Sequence, residues 1–221
     1  MAKSKEASTT EKLERKFSTF VVSYKNIIII VAAAIVVGLI ALGIGLKVSD
    51  NQANARQVAI DQLQEDYNAW VAQEGGDATT LKGELAALAK RRGKSYPVVK
   101  ALYLQGLIAY QEEAYAEATT YFLSVVERNR DGYLAPLALF NAGVSSEQQG
   151  DSLKAIEYYQ RVYDNYGRNA VESPRALFSL ARLYEAEGEK ELARAMFQQL
   201  SDEFPASEFA RLAKNRLVTL Q

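Results

Sequence analysis

The feature that most constrains this chain is a pattern of small and large apolar residues that occurs three times in its second half. A small residue stands at Gly106, Gly143 and Ala181, so the pattern recurs after 37 and then 38 residues. Alanine follows each small residue after twelve positions, an aromatic residue after sixteen and an aliphatic residue after nineteen; the sets are Ala118, Phe122 and Val125, then Ala155, Tyr159 and Val162, then Ala193, Phe197 and Leu200. A period of this length is typical of stacked helix hairpins, none of which buries its apolar face alone.

The same spacing predicts two antiparallel helices in each repeat. Small residues allow the two helices to cross closely, with Gly106 expected against Ala118, while the aromatic and aliphatic residues fill the space between repeats. All four prolines suit helix starts, where a missing N–H costs no hydrogen bond, and they are Pro97, Pro136, Pro174 and Pro205. Gly150 marks a turn, after which Asp151 or Ser152 can cap the next helix.

This plan resembles the tetratricopeptide repeat family over residues 97–217. The large residue that the family carries early in the first helix corresponds to Leu102, Leu139 and Leu177. The family's tyrosine after the small residue is present only as Tyr184, and its closing proline only as Pro205. The resemblance implies an all-α solenoid of three helix hairpins, about 97–133, 134–171 and 172–204, closed by a capping helix at 205–219.

The segment before these repeats, residues 47–96, is also helical in pattern. Its apolar residues fall on one face of each of two predicted helices, and they are Ile60, Leu63, Tyr67 and Trp70 in the first and Leu81, Leu85 and Leu88 in the second. A turn-rich stretch, EGGDATT at residues 74–80, separates the two. The segment is therefore a helical linker or a degenerate fourth repeat, and the sequence leaves both open.

An apolar run near the N-terminus is long enough to cross a bilayer. Residues 27–46, IIIIVAAAIVVGLIALGIGL, contain no charged, amide or hydroxyl side chain, and a helix of about 20 residues spans a hydrocarbon core of about 30 Å. Residues 1–26 carry six basic and three acidic side chains, so the positive-inside rule places them in the cytoplasm. Residues 47–221 are then expected on the outer side of a bacterial inner membrane. A signal peptide cleaved after Ala55 is the alternative, although its apolar core is usually shorter.

Small residues within this run have two interpretations. Ala34 and Gly38, like Ala41 and Gly45, stand four positions apart, a spacing that lets another membrane helix approach closely. Alanine and glycine are also common in membrane helices that pair with nothing. Contact with a membrane protein partner is therefore a hypothesis.

The composition excludes several kinds of chemistry. The chain has no cysteine and no histidine, which rules out disulfides, thiol nucleophiles, Ser-His-Asp catalysis and the usual zinc sites. The remaining catalytic candidates are Ser145 or Ser146 with Lys154, and Glu112 with Glu113, all ordinary polar positions beside a helix turn. We therefore predict no enzyme activity, no cofactor and no metal. Residues 47–221 are mildly acidic, which disfavours nucleic acid as a partner.

Two clusters in the repeat region have both a functional and a structural interpretation. The basic cluster Arg91, Arg92 and Lys94 is either a solvated loop or an anion site. Four tyrosines fall close together in residues 148–167 and resemble a stacking surface; they are Tyr158, Tyr159, Tyr163 and Tyr166. Tyr159 occupies the position of Phe122 and Phe197, so we predict that it is a core residue. Tyr158 and Tyr163 lie off that stripe.

By the family resemblance, partners would bind on the concave side, which the first helix of each repeat lines. The implied groove positions are Tyr103, Leu107 and Tyr110, then Phe140, Asn141 and Glu147, then Phe178, Arg182 and Glu185. Aromatic residues offer contact area at low entropic cost, and Asn, Arg and Glu can hold a peptide backbone or terminus. Each of these residues could instead pack against a neighbouring repeat.

One anchor followed by one repeat domain is similar to the layout of bacterial inner-membrane repeat proteins, among them the ancillary, chaperone-like subunit of the Sec translocon. That resemblance implies a non-enzymatic scaffold that binds partner proteins or emerging polypeptides in the periplasm. A cell-envelope scaffold for outer-membrane assembly, peptidoglycan or cell division is the alternative, because unrelated functions share this layout. A Ser/Lys hydrolase is the alternative of a different class.

Overall fold

The computed structural model describes residues 9–74 and 76–220, and the regular elements in these residues are all helical. The α-helices are α1 (Thr9–Ala72), α2 (Thr79–Ala89), α3 (Tyr96–Gln111), α4 (Tyr115–Arg128), α5 (Leu134–Gln148), α6 (Ser152–Tyr166), α7 (Ser173–Ala186), α8 (Lys190–Glu203) and α9 (Glu208–Thr219). A single 3₁₀ turn, Gly167–Asn169, follows α6. The predicted all-α class is confirmed. The chain divides into two compact units at Ala55 and Arg56.

The N-terminal unit contains the apolar run as part of α1. Among the described residues, one helix is long and apolar enough to cross a membrane, and none of its most apolar window is buried. Ideal Cβ atoms built on Gly38 and Gly45 would meet nothing within 4 Å, so the surface around both glycines is open. Length and apolar composition are shared by membrane anchors and signal sequences.

In the second unit, the helices from α3 onward pair as the repeat pattern predicts. Helix α3 packs against α4, α5 against α6 and α7 against α8, and each second helix also packs against the first helix of the next repeat. On α6 the predicted stripe of Ala155, Tyr159 and Val162 is buried, while Leu153 is 81% exposed. Tyr158 is buried as well, because a second helix contacts the first helices of two repeats and needs a broad apolar face.

The close contact inside a repeat joins the small residue to the aromatic ring, not to the alanine that we expected. An ideal Cβ on Gly106 would lie 2.6 Å from Cε1 of Phe122, and one on Gly143 would lie 2.5 Å from Cε1 of Tyr159. Both rings are 1% exposed. Glycine is required at these two positions because the ring of the second helix occupies the volume that a side chain would need.

Residues 56–74 and 76–89 form a further helix hairpin in front of the three predicted repeats. Ala69, Leu81, Leu85 and Leu88 precede Gly106, Ala118, Phe122 and Val125 by 37 positions each. Leu85 and Leu88 are buried in the same core as the later repeats. Trp70 Nε1 donates to the carbonyl oxygen of Gly76 at 3.2 Å and holds the connecting turn against the helix. This hairpin therefore shares the 37-residue spacing and the core of the three repeats that follow it.

The helix ends follow local chemistry. Pro97 and Pro174 lie in the first turns of α3 and α7, as predicted. The prediction that Pro205 opens the last helix is wrong, because α9 begins at Glu208 and Pro205 lies in the preceding turn. Ser207 caps α9, since its Oγ accepts a hydrogen bond from the N–H of Phe209 at 3.2 Å.

A partly buried carboxylate joins the second and third repeats. Glu203 Oε2 at the end of α8 accepts hydrogen bonds from Tyr163 Oη on α6 and, at 2.9 Å, from Arg168 Nε. Burial alone would raise the pKa of Glu203, but these hydrogen bonds and one from Gln199 together lower it.

Candidate peptide-binding groove

A recess of about 200 Å³ opens between the first helices of consecutive repeats, α3, α5 and α7. Its lining residues are Leu107, Tyr110, Phe122, Asn141, Val144 and Arg175. Leu107, Tyr110 and Asn141 are among the predicted groove positions, so the fold brings three of them together across two repeats. Val144 and Arg175 were not predicted. Val144 follows Gly143 as Leu107 follows Gly106, and the repeat register alone would have found it.

Two of the predicted groove residues are buried instead. Phe140 is 1% exposed; its ring centroid lies 5.2 Å from that of Tyr159, and the Arg175 guanidinium lies 4.4 Å from the Phe140 centroid. Tyr103 is 7% exposed and packs against Phe122 at 5.6 Å between centroids. Phe140 and Tyr103 therefore support the groove from below, contrary to the expectation that they face a partner.

The floor and rim of the recess are joined by one hydrogen bond between repeats. Asn141 Nδ2 donates to Tyr103 Oη at 2.9 Å. Burial raises the pKa of Tyr103 to about 12, against the smaller opposite effect of the Asn141 hydrogen bond. Burial also raises the pKa of Tyr110. Both phenols are neutral at pH 7, so the tyrosines bring no charge to the groove.

A charged network lies beside the recess. Arg182 on α7 donates to Glu147 on α5, and the same carboxylate accepts a hydrogen bond from Tyr159 Oη at 3.2 Å. Burial and the Glu147 charge raise the pKa of Tyr159. The Arg182 side chain remains 39% exposed, so it keeps N–H donors for a ligand at the end of the groove.

The remaining two predicted positions face the capping helix. The Phe178 ring lies between Phe197 and Phe209, at centroid distances of 5.6 Å and 5.8 Å. Glu185 forms an ion pair of 3.5 Å with Arg216 on α9. These contacts occupy Phe178 and Glu185 because α9 packs on the third repeat, so the open part of the groove lies over the earlier repeats.

Among the polar residues considered for catalysis, Ser145, Lys154 and Glu112 have structural partners, whereas the buried Ser146 Oγ has no hydrogen-bond partner among the described residues. Ser145 Oγ donates to a main-chain carbonyl oxygen one turn earlier in α5, at 2.9 Å. Lys154 forms an ion pair of 2.7 Å with Asp151, which also caps α6. Glu112 forms an ion pair of 2.7 Å with Lys82. Contacts of this kind are ordinary at helix ends and on helix surfaces.

Comparison with known proteins gives the fold a family. Two family models, both described as tetratricopeptide repeat, match residues 103–170 and 175–207. The Photosystem I assembly protein Ycf3 of Cyanophora paradoxa is 30% identical over 128 residues, which cover 55% of this chain and 70% of that relative. The chain belongs to the tetratricopeptide repeat family. Domains of this family bind protein partners, so the recess between α3, α5 and α7 is the candidate binding surface.

Other relatives share the same region. A TPR repeat-containing protein of Treponema pallidum is 30% identical over 130 residues, covering 59% of this chain and 53% of that protein. The Ycf3 protein of Rippkaea orientalis is 29% identical over 126 residues, covering 54% and 69% of the two chains. Among solved structures, the Arabidopsis OM64 TPR domain is 15% identical, with a TM-score of 0.45 over 55% of this chain and 94% of that domain. The assignment relies on the sequence comparisons.

Proposed function

We propose that this chain is a membrane-anchored, non-enzymatic scaffold that binds extended segments of partner proteins in the recess between α3, α5 and α7. The observation that carries the proposal is the combination of apolar walls and polar rim in that recess. Leu107 and Val144 supply the apolar walls, and Asn141 and Arg175 supply hydrogen-bonding groups within the same recess.

The chemistry of the rim suits an extended peptide. After one N–H of the Asn141 amide donates to Tyr103, the amide retains a second N–H and a carbonyl oxygen, which match the acceptor and donor of a peptide unit. Arg175 presents further donors while its guanidinium remains above Phe140. A volume of about 200 Å³ accepts one large apolar side chain of the partner. Recognition of one side chain plus backbone tolerates many sequences, as a chaperone-like role requires.

The membrane location belongs to the same proposal. We take residues 27–46 as a transmembrane anchor, with residues 1–26 in the cytoplasm and the repeats in the periplasm, near the Sec translocon. The length of the apolar run, its exposed surface and the basic residues before it support this arrangement. The relatives named for Photosystem I assembly support an assembly or chaperone-like role for the groove. Anchoring raises the local concentration near membrane partners, so weak groove contacts suffice.

Site-specific photocrosslinking tests the groove. A benzophenone amino acid at Tyr110 should capture a partner protein, and the Val144→Phe variant should reduce that capture because it fills the recess. The matched control is the same probe at Tyr121, a half-buried tyrosine on the second helix α4. Equal capture from both tyrosines, or capture from Tyr121 alone, would contradict a groove-based interaction. Translocon components among the captured proteins support the Sec location, whereas envelope-assembly or division proteins support the alternative scaffold.

Cysteine labelling tests the anchor and its direction, because the natural chain has no cysteine. Leu153→Cys, at a position 81% exposed in the repeat unit, should react with a membrane-impermeant maleimide in intact spheroplasts. Ser18→Cys should react only after the membrane is opened. The reverse pattern refutes the proposed topology, and release of the chain by alkaline carbonate refutes the anchor.

A further inference from the structure

The repeat unit has two edges, because antiparallel helices bring all connections of one kind to the same side. The connections between successive helix hairpins, together with the helix-end residues beside them, form one edge, here called the loop edge, which comprises residues 90–96, 128–133 and 164–172. Contacts hold these loops side by side: Arg128 Nη1 donates to the carbonyl oxygen of Arg91 at 3.0 Å, and Arg130 Nη2 donates to Asn165 at 3.0 Å. The turns inside the helix hairpins form the opposite edge, here called the turn edge, at residues 73–74, 76–78, 112–114, 149–151 and 187–189.

The chain enters the repeat unit at the loop edge. The unit begins at Arg56, and Ala59, Leu63, Leu88 and Arg91 line one recess between α1 and α2. The later part of the α1 segment, by contrast, lines a recess with the turn-edge residues, including Asp77. The first residues of this unit therefore lie at the end of the hairpin that carries Arg91.

The first loop of the loop edge is strongly basic. Residues 90–96, KRRGKSY, contain four basic and no acidic side chains, and all seven residues are exposed. Arg91, Arg92 and Lys94 form no ion pair with any residue that the structure describes. The later loops are mixed, with Arg130 next to Asp131, so the positive charge is concentrated where the chain enters.

The turn edge has the opposite charge. Its acidic residues are Glu74, Asp77, Glu112, Glu113, Asp151, Glu187 and Glu189. The basic residues nearby are few, and two of them are already paired: Lys82 with Glu112 and Lys154 with Asp151, both at 2.7 Å. The repeat unit is thus polarised from a basic loop to acidic turns along its helix axes.

Exposed apolar side chains accompany the basic loop. Tyr96, Tyr133 and Val171 each stand ten positions before the small residue of their repeat, and they are 38%, 68% and 88% exposed. The rings of Tyr96 and Tyr133 stack at 5.8 Å between centroids across two loops. Tyrosine is enriched at membrane–water interfaces, where its ring contacts the apolar boundary and its hydroxyl stays hydrated.

We propose that the loop edge is the surface of the repeat unit that contacts an anionic lipid bilayer. Arg91, Arg92 and Lys94 bind headgroup phosphates, and Tyr96 and Tyr133 enter the interfacial layer. The inference rests on the proposed function, because it uses the anchor at residues 27–46. Nine residues, 47–55, separate that anchor from Arg56. They belong to helix α1, so they rise about 14 Å at about 1.5 Å per residue. In the docked state the helices of the repeat unit would stand roughly perpendicular to the membrane plane, with the acidic turn edge directed away from the lipid.

Fluorescence quenching in lipid nanodiscs tests the proposal on the full chain. Ser95→Cys, labelled with an environment-sensitive fluorophore, should be quenched by spin-labelled lipid when the nanodiscs contain phosphatidylglycerol. The same label at Ala186→Cys, at the exposed end of α7 near the turn edge, should not be quenched. Each basic residue near an anionic surface changes the ratio of docked to undocked protein by about fivefold. The triple variant R91Q/R92Q/K94Q should therefore lower the ratio of docked to undocked protein by about a hundredfold.

A matched charge change at the other edge is the control. K82Q/K154Q/K190Q removes the same number of positive charges and should leave the quenching at Ser95→Cys unchanged. Quenching that is equal at both labelled sites, equal in zwitterionic lipid, or insensitive to R91Q/R92Q/K94Q refutes the loop-edge contact. Full-chain protein that stays out of the nanodiscs refutes the anchor and this inference together. Protein that inserts without quenching at residue 95 refutes this inference alone.

Discussion

Replacing Gly143 with alanine tests how tightly the two helices of the second repeat pack. The new Cβ would lie 2.5 Å, 2.7 Å and 3.0 Å from Cε1, Cδ1 and Cζ of Tyr159. Carbon atoms in contact are normally separated by about 3.5–4.0 Å, so either the ring or the helix has to move by about 1 Å. The Tyr159 ring is 1% exposed and packs against Phe140, so it has no free space to enter.

Two opposing effects set the size of the change. Overpacking a buried site costs roughly 1–3 kcal/mol, whereas alanine in place of glycine within a helix gains about 0.5–1 kcal/mol. We therefore expect Gly143→Ala to lower the free energy of unfolding by about 1–2 kcal/mol. For a unit of this size that corresponds to a fall in melting temperature of about 2–8 °C.

Urea unfolding of the full chain in mild detergent measures this change. The chain has one tryptophan, Trp70, which lies in the repeat unit and packs on its core, so its fluorescence reports on that unit. Gly83→Ala is the matched control, because Gly83 is an exposed residue within α2 and its added Cβ would meet nothing within 4 Å. That control should be more stable than the natural chain by about 0.5–1 kcal/mol.

The difference in unfolding free energy between Gly143→Ala and Gly83→Ala tests the packing argument. If Gly143→Ala is as stable as Gly83→Ala, the ring does not fill the space above Gly143 and the packing argument is wrong. A further check is the Tyr159→Leu background, in which a smaller side chain leaves room for the Cβ. The loss caused by Gly143→Ala should shrink in that background, which a double-mutant cycle detects.

Three further changes have expected outcomes. Tyr103→Phe removes the acceptor of the Asn141 hydrogen bond and should lower the free energy of unfolding by about 1 kcal/mol in the same urea assay; an unchanged midpoint would contradict this bond. Ser207→Ala should cost about 1 kcal/mol by removing the cap of α9, while Ser207→Asp should retain most of the stability; equal losses in both would contradict capping. Glu203 has a lowered pKa in the folded state, so its stabilising contribution is complete above the ordinary value of 4.5 and is lost as the pH falls through the folded value. In the Glu203→Gln variant the urea unfolding midpoint should change less between pH 5 and pH 3 than it does in the natural chain. An equal pH dependence in both proteins would contradict this linkage.

Local pattern was sufficient to predict the helices and much of the core. The stripe of Ala155, Tyr159 and Val162 is visible in sequence because side chains three and four apart share one helix face. Its burial is confirmed. Helix ends were less well predicted. Pro205 and Ser207 are both residue types that favour a helix start, and α9 begins after the Ser207 cap and not at Pro205.

The candidate groove was only partly predictable. Leu107 and Asn141 line the recess, as predicted, together with Arg175. The helix periodicity did not identify Arg175 as a groove residue. Phe140 was expected at the surface, and Arg175 covers its ring from the following repeat. Which side chain covers which depends on contacts between residues more than thirty positions apart, and no local pattern encodes their geometry.

Sequence by itself determined the architecture, because helix period, small residues and prolines act within one or two turns of the chain. It established three repeats and an apolar run long enough for a membrane span. Only the tertiary structure decided where the groove is open, because α9 packs on Phe178 and pairs Arg216 with Glu185, closing the third repeat. It also revealed that the basic loop and the tyrosines of separate repeats share one edge, since antiparallel packing brings together side chains that are distant in sequence.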